Sequence, residues 1–156
     1  MSLEALCLEC GLCCDGTLFR HVEISVSERQ ELVSLGIGVG EKSKRGVMWL
    51  PCGKLNGKCC TIYEARPGGC RRFVCALGKR LEGKQVTLDE ALAQVKDMQE
   101  RIAALRGVVP PPDGEPVLRY ARTCIDSTTT KVTEEQLEAF RHVEELRYTV
   151  FMPPPQ

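Results

Sequence analysis

Residues 7–14 read CLECGLCC, four cysteines in eight positions with the spacing C-x-x-C-x-x-C-C. Three chemistries use sulfur this densely: disulfides, a redox dithiol and a bound metal. Working outward, the chain has ten cysteines, at 7, 10, 13, 14, 52, 59, 60, 70, 75 and 124, and nine of them lie in the first 75 residues. The N-terminal MSLEALCLEC has neither a basic segment nor an apolar one, so no secretory signal is expected. The expected compartment is therefore the reducing cytoplasm, where structural disulfides are rare and CxxC spacings serve metals or redox groups.

The rest of the composition is ordinary. Of 156 residues, 43% are apolar and 27% charged, which suits a globular protein of one domain. Lys+Arg and Asp+Glu are both 21, so no net charge draws the chain to nucleic acid or to an anionic membrane. No apolar run reaches the roughly 20 residues of a membrane span. Nucleic-acid and membrane partners are thus not expected; metal ions are, and a protein partner fits as well.

The chain divides by composition. Residues 1–80 hold eleven of the fourteen glycines and form the expected cysteine-cluster region; residues 81–156 read as a helical region packed on it. VSERQELVSLG (26–36) reads as a short helix capped by Ser27 with Gln30 and stopped by Gly36. RGVMWLPC (45–52) and KCCTIY (58–63) are β-prone, and Asn56-Gly57 between them predicts a hairpin joining the two, with Cys52 and Cys60 close at its sides. LFRHVEI (18–24) offers a third strand. In the second half, a helix begins at the Thr87/Glu90 capping box, carries the apolar stripe Leu88, Leu92, Val95, Met98, Ile102 and Leu105, and stops at Gly107. VVPPPDGEP (108–116) is a connector. Thr133 and Gln136 cap a second helix whose stripe is Leu137, Phe140, Val143, Leu146 and Val150. The tail MPPPQ reads as unstructured. The fold class expected is α+β: a small, irregular, metal-stapled cysteine-rich domain with a short hairpin, followed by two C-terminal helices.

A C-x-x-C turn sets two thiolates on one side of a tight bend, within about 2.3 Å of a common metal. Adjacent cysteines such as Cys13-Cys14 diverge, so they can serve different sites. The segment 51–75 supplies the other thiols, and omitting one of Cys59/Cys60 leaves eight in all, enough for two four-thiolate sites or for an iron–sulfur cluster with one mononuclear site. Lys54, Lys58, Arg66, Arg71 and Arg72, against Glu64 alone, offset thiolate charge there. A segment this rich in glycine and poor in large apolar side chains does not offset its ordering entropy by burial alone. A structural zinc adds roughly 10–16 kcal/mol. No βαβ pattern surrounds Cys7-x-x-Cys10, which argues against a thioredoxin-like dithiol. The spacing also departs from the ferredoxin pattern, because Cys14 follows Cys13 directly.

CLECGLCC at 7–14, Cys52 and CTIYEARPGGCRRFVC at 60–75 together resemble the CxxCxxCC cysteine-cluster family, described as zinc- or iron-chelating. The resemblance implies a metal-binding function. Its cysteines carry onto Cys7, Cys10, Cys13, Cys14, Cys52, Cys60, Cys70 and Cys75, with zinc or iron, or an iron–sulfur cluster, as the cofactor. Cys59 and Cys124 fall outside the pattern. Asp15 reads as a turn residue before Gly16, His21 and His142 as packing or surface residues, and Cys124 as a buried thiol. No catalytic constellation is visible. The rival class is an oxidoreductase or metal-dependent enzyme built on an iron centre.

Overall fold

The computed structural model describes residues 3–152, and the end of the tail (153–156) lies outside them. The chain forms two compact units: Cys7–Val74, and a second made by the residues before Cys7 together with those from Cys75 onward. Helix α1 (Leu3–Cys10) runs across the first boundary.

In the cysteine-rich unit, β1 (His21–Glu23), β2 (Val39–Lys42) and β3 (Arg45–Trp49) form an antiparallel sheet of order β1-β3-β2. Met48 stands opposite both Val22 and Val39, so one row across the sheet is apolar. That row joins Ile24, Leu32, Ile37, Leu50 and Cys52 in the unit's buried core. β4 (Leu55–Asn56) and β5 (Cys59–Cys60) form a separate two-residue hairpin. The Asn56-Gly57 turn is present as expected, but it does not join 45–52 to 58–63. β3 pairs instead with β2, through a turn at Ser43-Lys44 in which both residues take positive φ, 51° and 65°. That is the two-residue hairpin geometry which Asn-Gly usually signals, here made without either residue.

Helix α2 (Val26–Ser34) is capped by Ser25, not Ser27. The Ser25 hydroxyl accepts the Glu28 N–H, and the Glu28 carboxylate accepts the Ser25 N–H at 2.7 Å. A charged carboxylate closes this capping box more strongly than the amide of Gln30 would close the alternative. The short α3 (Gly68–Arg72) follows Pro67.

The second unit holds both expected helices, α5 (Leu88–Val108) and α7 (Glu134–Leu146), each closed by the capping box read from the sequence. Two more helices accompany them, α4 (Ala76–Glu82) and α6 (Val117–Asp126). α5 does not stop at Gly107; it runs one residue further, and Val109 caps it. α5 packs along α7, α6 touches both, and α4 lies on α5. Gln136 does double duty: besides its part in the α7 cap, its amide donates to the Val108 carbonyl at the end of α5, at 2.8 Å. Arg101 bridges the same pair, donating to the His142 carbonyl at 3.0 Å. After Leu146 the backbone widens into a π-helical turn, Arg147–Phe151. The shift makes Phe151 the buried ring, 1% exposed, where the stripe had pointed to Val150.

Candidate metal centre

The first half of the N-terminal motif, Cys7–Cys10, is helical. Cys7 and Cys10 lie three residues apart on α1, so they share a face without the tight bend expected of them. Gly11, at φ +68°, ends the helix, and its carbonyl accepts the N–H groups of Cys14 (2.9 Å) and Asp15 (3.0 Å). Asp15 accepts the Thr17 N–H at 2.7 Å, the turn role expected of it.

Cys14 is then tied directly to the next cysteine segment: the Cys52 N–H donates to the Cys14 carbonyl at 2.8 Å. Cys52 in turn accepts the Leu55 N–H at 3.1 Å, and Leu55 is the strand partner of Cys60. A chain of backbone hydrogen bonds thus connects three cysteines from three segments. The fourth, Cys70, comes from α3. Glu28 anchors the start of that helix by accepting the Gly68 N–H. Gly69 permits its approach to β1, because a Cβ there would stand 2.5 Å from Val22 Cγ1 and 2.8 Å from the Glu23 carbonyl. Cys52 belongs to the buried core, and Cys14 and Cys70 pack against it.

Neighbouring thiols act on Cys14, Cys52 and Cys70. Burial pushes the Cys14 thiol up to about 12, and Cys60, Cys70 and Cys52 each add to the shift. Burial likewise raises Cys70 to about 11, again with Cys52 and Cys60 contributing. Cys52 is raised by burial, partly offset by the Lys54 backbone N–H. Two of the expected basic residues act here, Lys54 on Cys52 and Arg66 on Cys70. Arg66 is fixed by stacking over the Tyr63 ring at 3.4 Å and by donating Nε–H to the Tyr63 carbonyl at 2.7 Å.

Among the described residues, no group of three or more His, Cys, Asp or Glu side chains is arranged to hold a metal ion as it stands. The donor chemistry nonetheless fits one. Burial favours the protonated thiols of Cys14, Cys52 and Cys70, and a dication reverses that preference by binding thiolates. Ligands of this kind take their final geometry as the metal binds.

The remaining cysteines differ in exposure. Cys7 and Cys59 are exposed, and Cys10 and Cys13 half-buried. The Cys59 thiol donates to the Leu8 carbonyl of α1 at 3.7 Å. Cys75 opens the second unit, where its sulfur accepts the Gly78 N–H at 3.3 Å and caps α4. Cys124, half-buried rather than buried, lines a cavity of about 210 Å³ in the helical unit with Tyr120 and Lys131. His21 packs edge-on to Trp49, and the exposed His142 lies 3.9 Å from Glu138. Sequence reasoning gave Glu28 no role and placed Cys59 outside the family pattern. Glu28 gave no signal beyond its fit as a capping partner. Cys59 gave one, its adjacency to Cys60, because consecutive strand residues point to opposite faces.

Cys14, Cys52, Cys60 and Cys70 thus come from four segments of a small α+β scaffold and lie near enough for their charges to interact. Residues 6–100 match the sequence profile of the CxxCxxCC family, described as a "putative zinc- or iron-chelating domain", and the chain belongs to that family. The match runs beyond the cysteine-rich unit into α5. No curated protein and no solved structure matches the chain. No helix among the described residues is long and apolar enough to cross a membrane.

Proposed function

We propose that the chain is a zinc- or iron-binding protein whose first centre is the four-thiolate set Cys14, Cys52, Cys60 and Cys70. The observation that supports this reading is the approach of these cysteines from four separate segments: Cys14 and Cys70 pack against the core that holds Cys52, and Cys60 acts electrostatically on all three. Disulfides would need pairs; here each of Cys14 and Cys70 has two or more cysteine neighbours. The family pattern also counts Cys7, Cys10, Cys13 and Cys75 as ligands, and eight thiolates are enough for a second four-thiolate centre. A zinc ion would act as a staple and leave function to the protein's surface, whereas an iron centre would add redox capacity.

Purification without oxygen, elemental analysis and a visible spectrum test this. About two zinc per chain without colour support paired structural sites. Iron with a visible band makes the oxidoreductase reading the leading one. Cys14→Ser and Cys70→Ser each lose one metal on this reading. A folded chain that carries no metal overturns it.

A further inference from the structure

The eight-thiolate set leaves Cys59 unused, yet the structure puts Cys59 against the N-terminal cysteine helix. Its thiol meets the Leu8 carbonyl at 3.7 Å, and Leu8 lies between Cys7 and Cys10 on α1. The backbone beside it is pressed equally close: a Cβ on Gly11 would stand 3.2 Å from Lys58 Cα and 3.2 Å from the Lys58 carbonyl. The β4–β5 turn is therefore docked on the end of α1 by glycine contact. β5 consists of Cys59 and Cys60 alone. Successive strand side chains point to opposite faces, so with Cys60 beside Cys14 and Cys52, Cys59 faces the other way.

We propose that Cys59 is a ligand of the second metal, bound together with Cys7, Cys10 and Cys13, and that it takes the place assigned to Cys75. The inference rests on the two-centre reading above and changes one member of its ligand set. Cys75 is then left as the cap of α4, where its sulfur already accepts the Gly78 N–H. A divalent ion entering this set displaces four thiol protons to solvent and leaves a tetrathiolate of formal charge −2. The two adjacent pairs then play the same part: Cys13-Cys14 and Cys59-Cys60 each give one sulfur to each centre.

Cys59 has a simpler role open to it, capping an unpaired carbonyl at the end of α1. Cys59→Ser separates the two roles, because a serine hydroxyl still donates to the Leu8 carbonyl but is a poor ligand for a soft metal. The full chain, purified without oxygen and stripped, is titrated with cobalt(II) and followed by its sulfur-to-cobalt charge-transfer band. The wild type takes two equivalents. Cys59→Ser retains one and weakens the other by more than the roughly 100-fold that outer-shell changes cost. Cys59→His recovers the second equivalent with a shifted spectrum, which shows that the variants fold. Cys60→Ser loses the other centre instead. Retention of both equivalents at full affinity in Cys59→Ser overturns the inference, as does loss of the second metal in Cys75→Ser but not in Cys59→Ser; the two-centre reading survives either result. A wild type that binds one cobalt or none overturns the two-centre reading itself.

Discussion

From Leu77 to Phe151, the helical unit buries leucines, valines, Met98 and a phenylalanine between helices of seven to 21 residues. The cysteine-rich unit gathers its core from Ile24, Leu32, Ile37, Met48, Leu50 and Cys52, of which Met48 lies on β3, Leu32 on α2 and the others in connecting segments. One is held by interlocking apolar faces and reciprocal caps. The other has a small core in which sulfur occupies positions where carbon would otherwise pack. Small domains with little apolar burial need a staple, and on the proposed reading a thiolate-bound metal is that staple.

Metal removal breaks the comparison most sharply. Stripping the chain with a chelator removes a contribution of roughly 10–16 kcal/mol per structural zinc. Amide exchange mapped by mass spectrometry is expected to rise throughout 7–74 while α5 and α7 stay protected. Uniform unfolding, or none, would erase the distinction between the units. Met98→Ala probes the other side. Met98 is fully buried between helices, and its truncation is expected to cost about 2–5 kcal/mol while metal content stays at the wild-type level. Denaturation followed by far-UV circular dichroism, alongside elemental analysis, reads both quantities.

Two smaller changes sharpen the comparison within the cysteine-rich unit. Gly11→Ala forces a side chain into the left-handed region and against Lys58, at a cost of roughly 1–2 kcal/mol plus the displacement of the β4–β5 turn. A lower metal affinity in this variant ties the turn to ligand placement. Glu28→Gln gives the smallest effect, about 1 kcal/mol. The N–H groups of Gly68 and Ser25 hold the Glu28 carboxyl below the ordinary carboxylate range. Its lowered value means that the stabilisation is present at neutral pH and is lost as pH falls through that value. The gap between wild type and variant is therefore expected near neutrality and to close in acid, as measured by urea denaturation across the pH range.

What the sequence disclosed follows the range of the interactions. The caps at Thr87/Glu90 and Thr133/Gln136 involve residues three apart, and both appear as read. The cap of α2 was read as Ser27 with Gln30 but is Ser25 with Glu28, whose carboxylate also accepts the Gly68 N–H, forty residues away. The Asn56-Gly57 turn was visible, but its strand partners were not, because Ser43-Lys44 makes its own turn without glycine or asparagine. α4 and α6 lacked a Ser, Thr, Asp or Asn cap; Cys75 and Pro116 stand at their starts. The cysteine motif identified the family and the metal chemistry. Which cysteine segments lie side by side is decided by contacts such as the hydrogen bond from the Cys52 N–H to the Cys14 carbonyl, and no spacing encodes that.

The two-residue strand Cys59–Cys60 has a consequence for how the protein fills. On the proposed assignment the two centres share a peptide bond there and another at Cys13–Cys14. The first ion to bind fixes the backbone on which half of the next cage stands, so part of the second ordering cost is already met. Loading is then cooperative: at half saturation the population divides into empty and doubly filled chains, and singly filled species are scarce. Native mass spectrometry during a zinc titration would show this as two dominant masses. A protein that fills in this way responds to free metal as a threshold rather than in proportion.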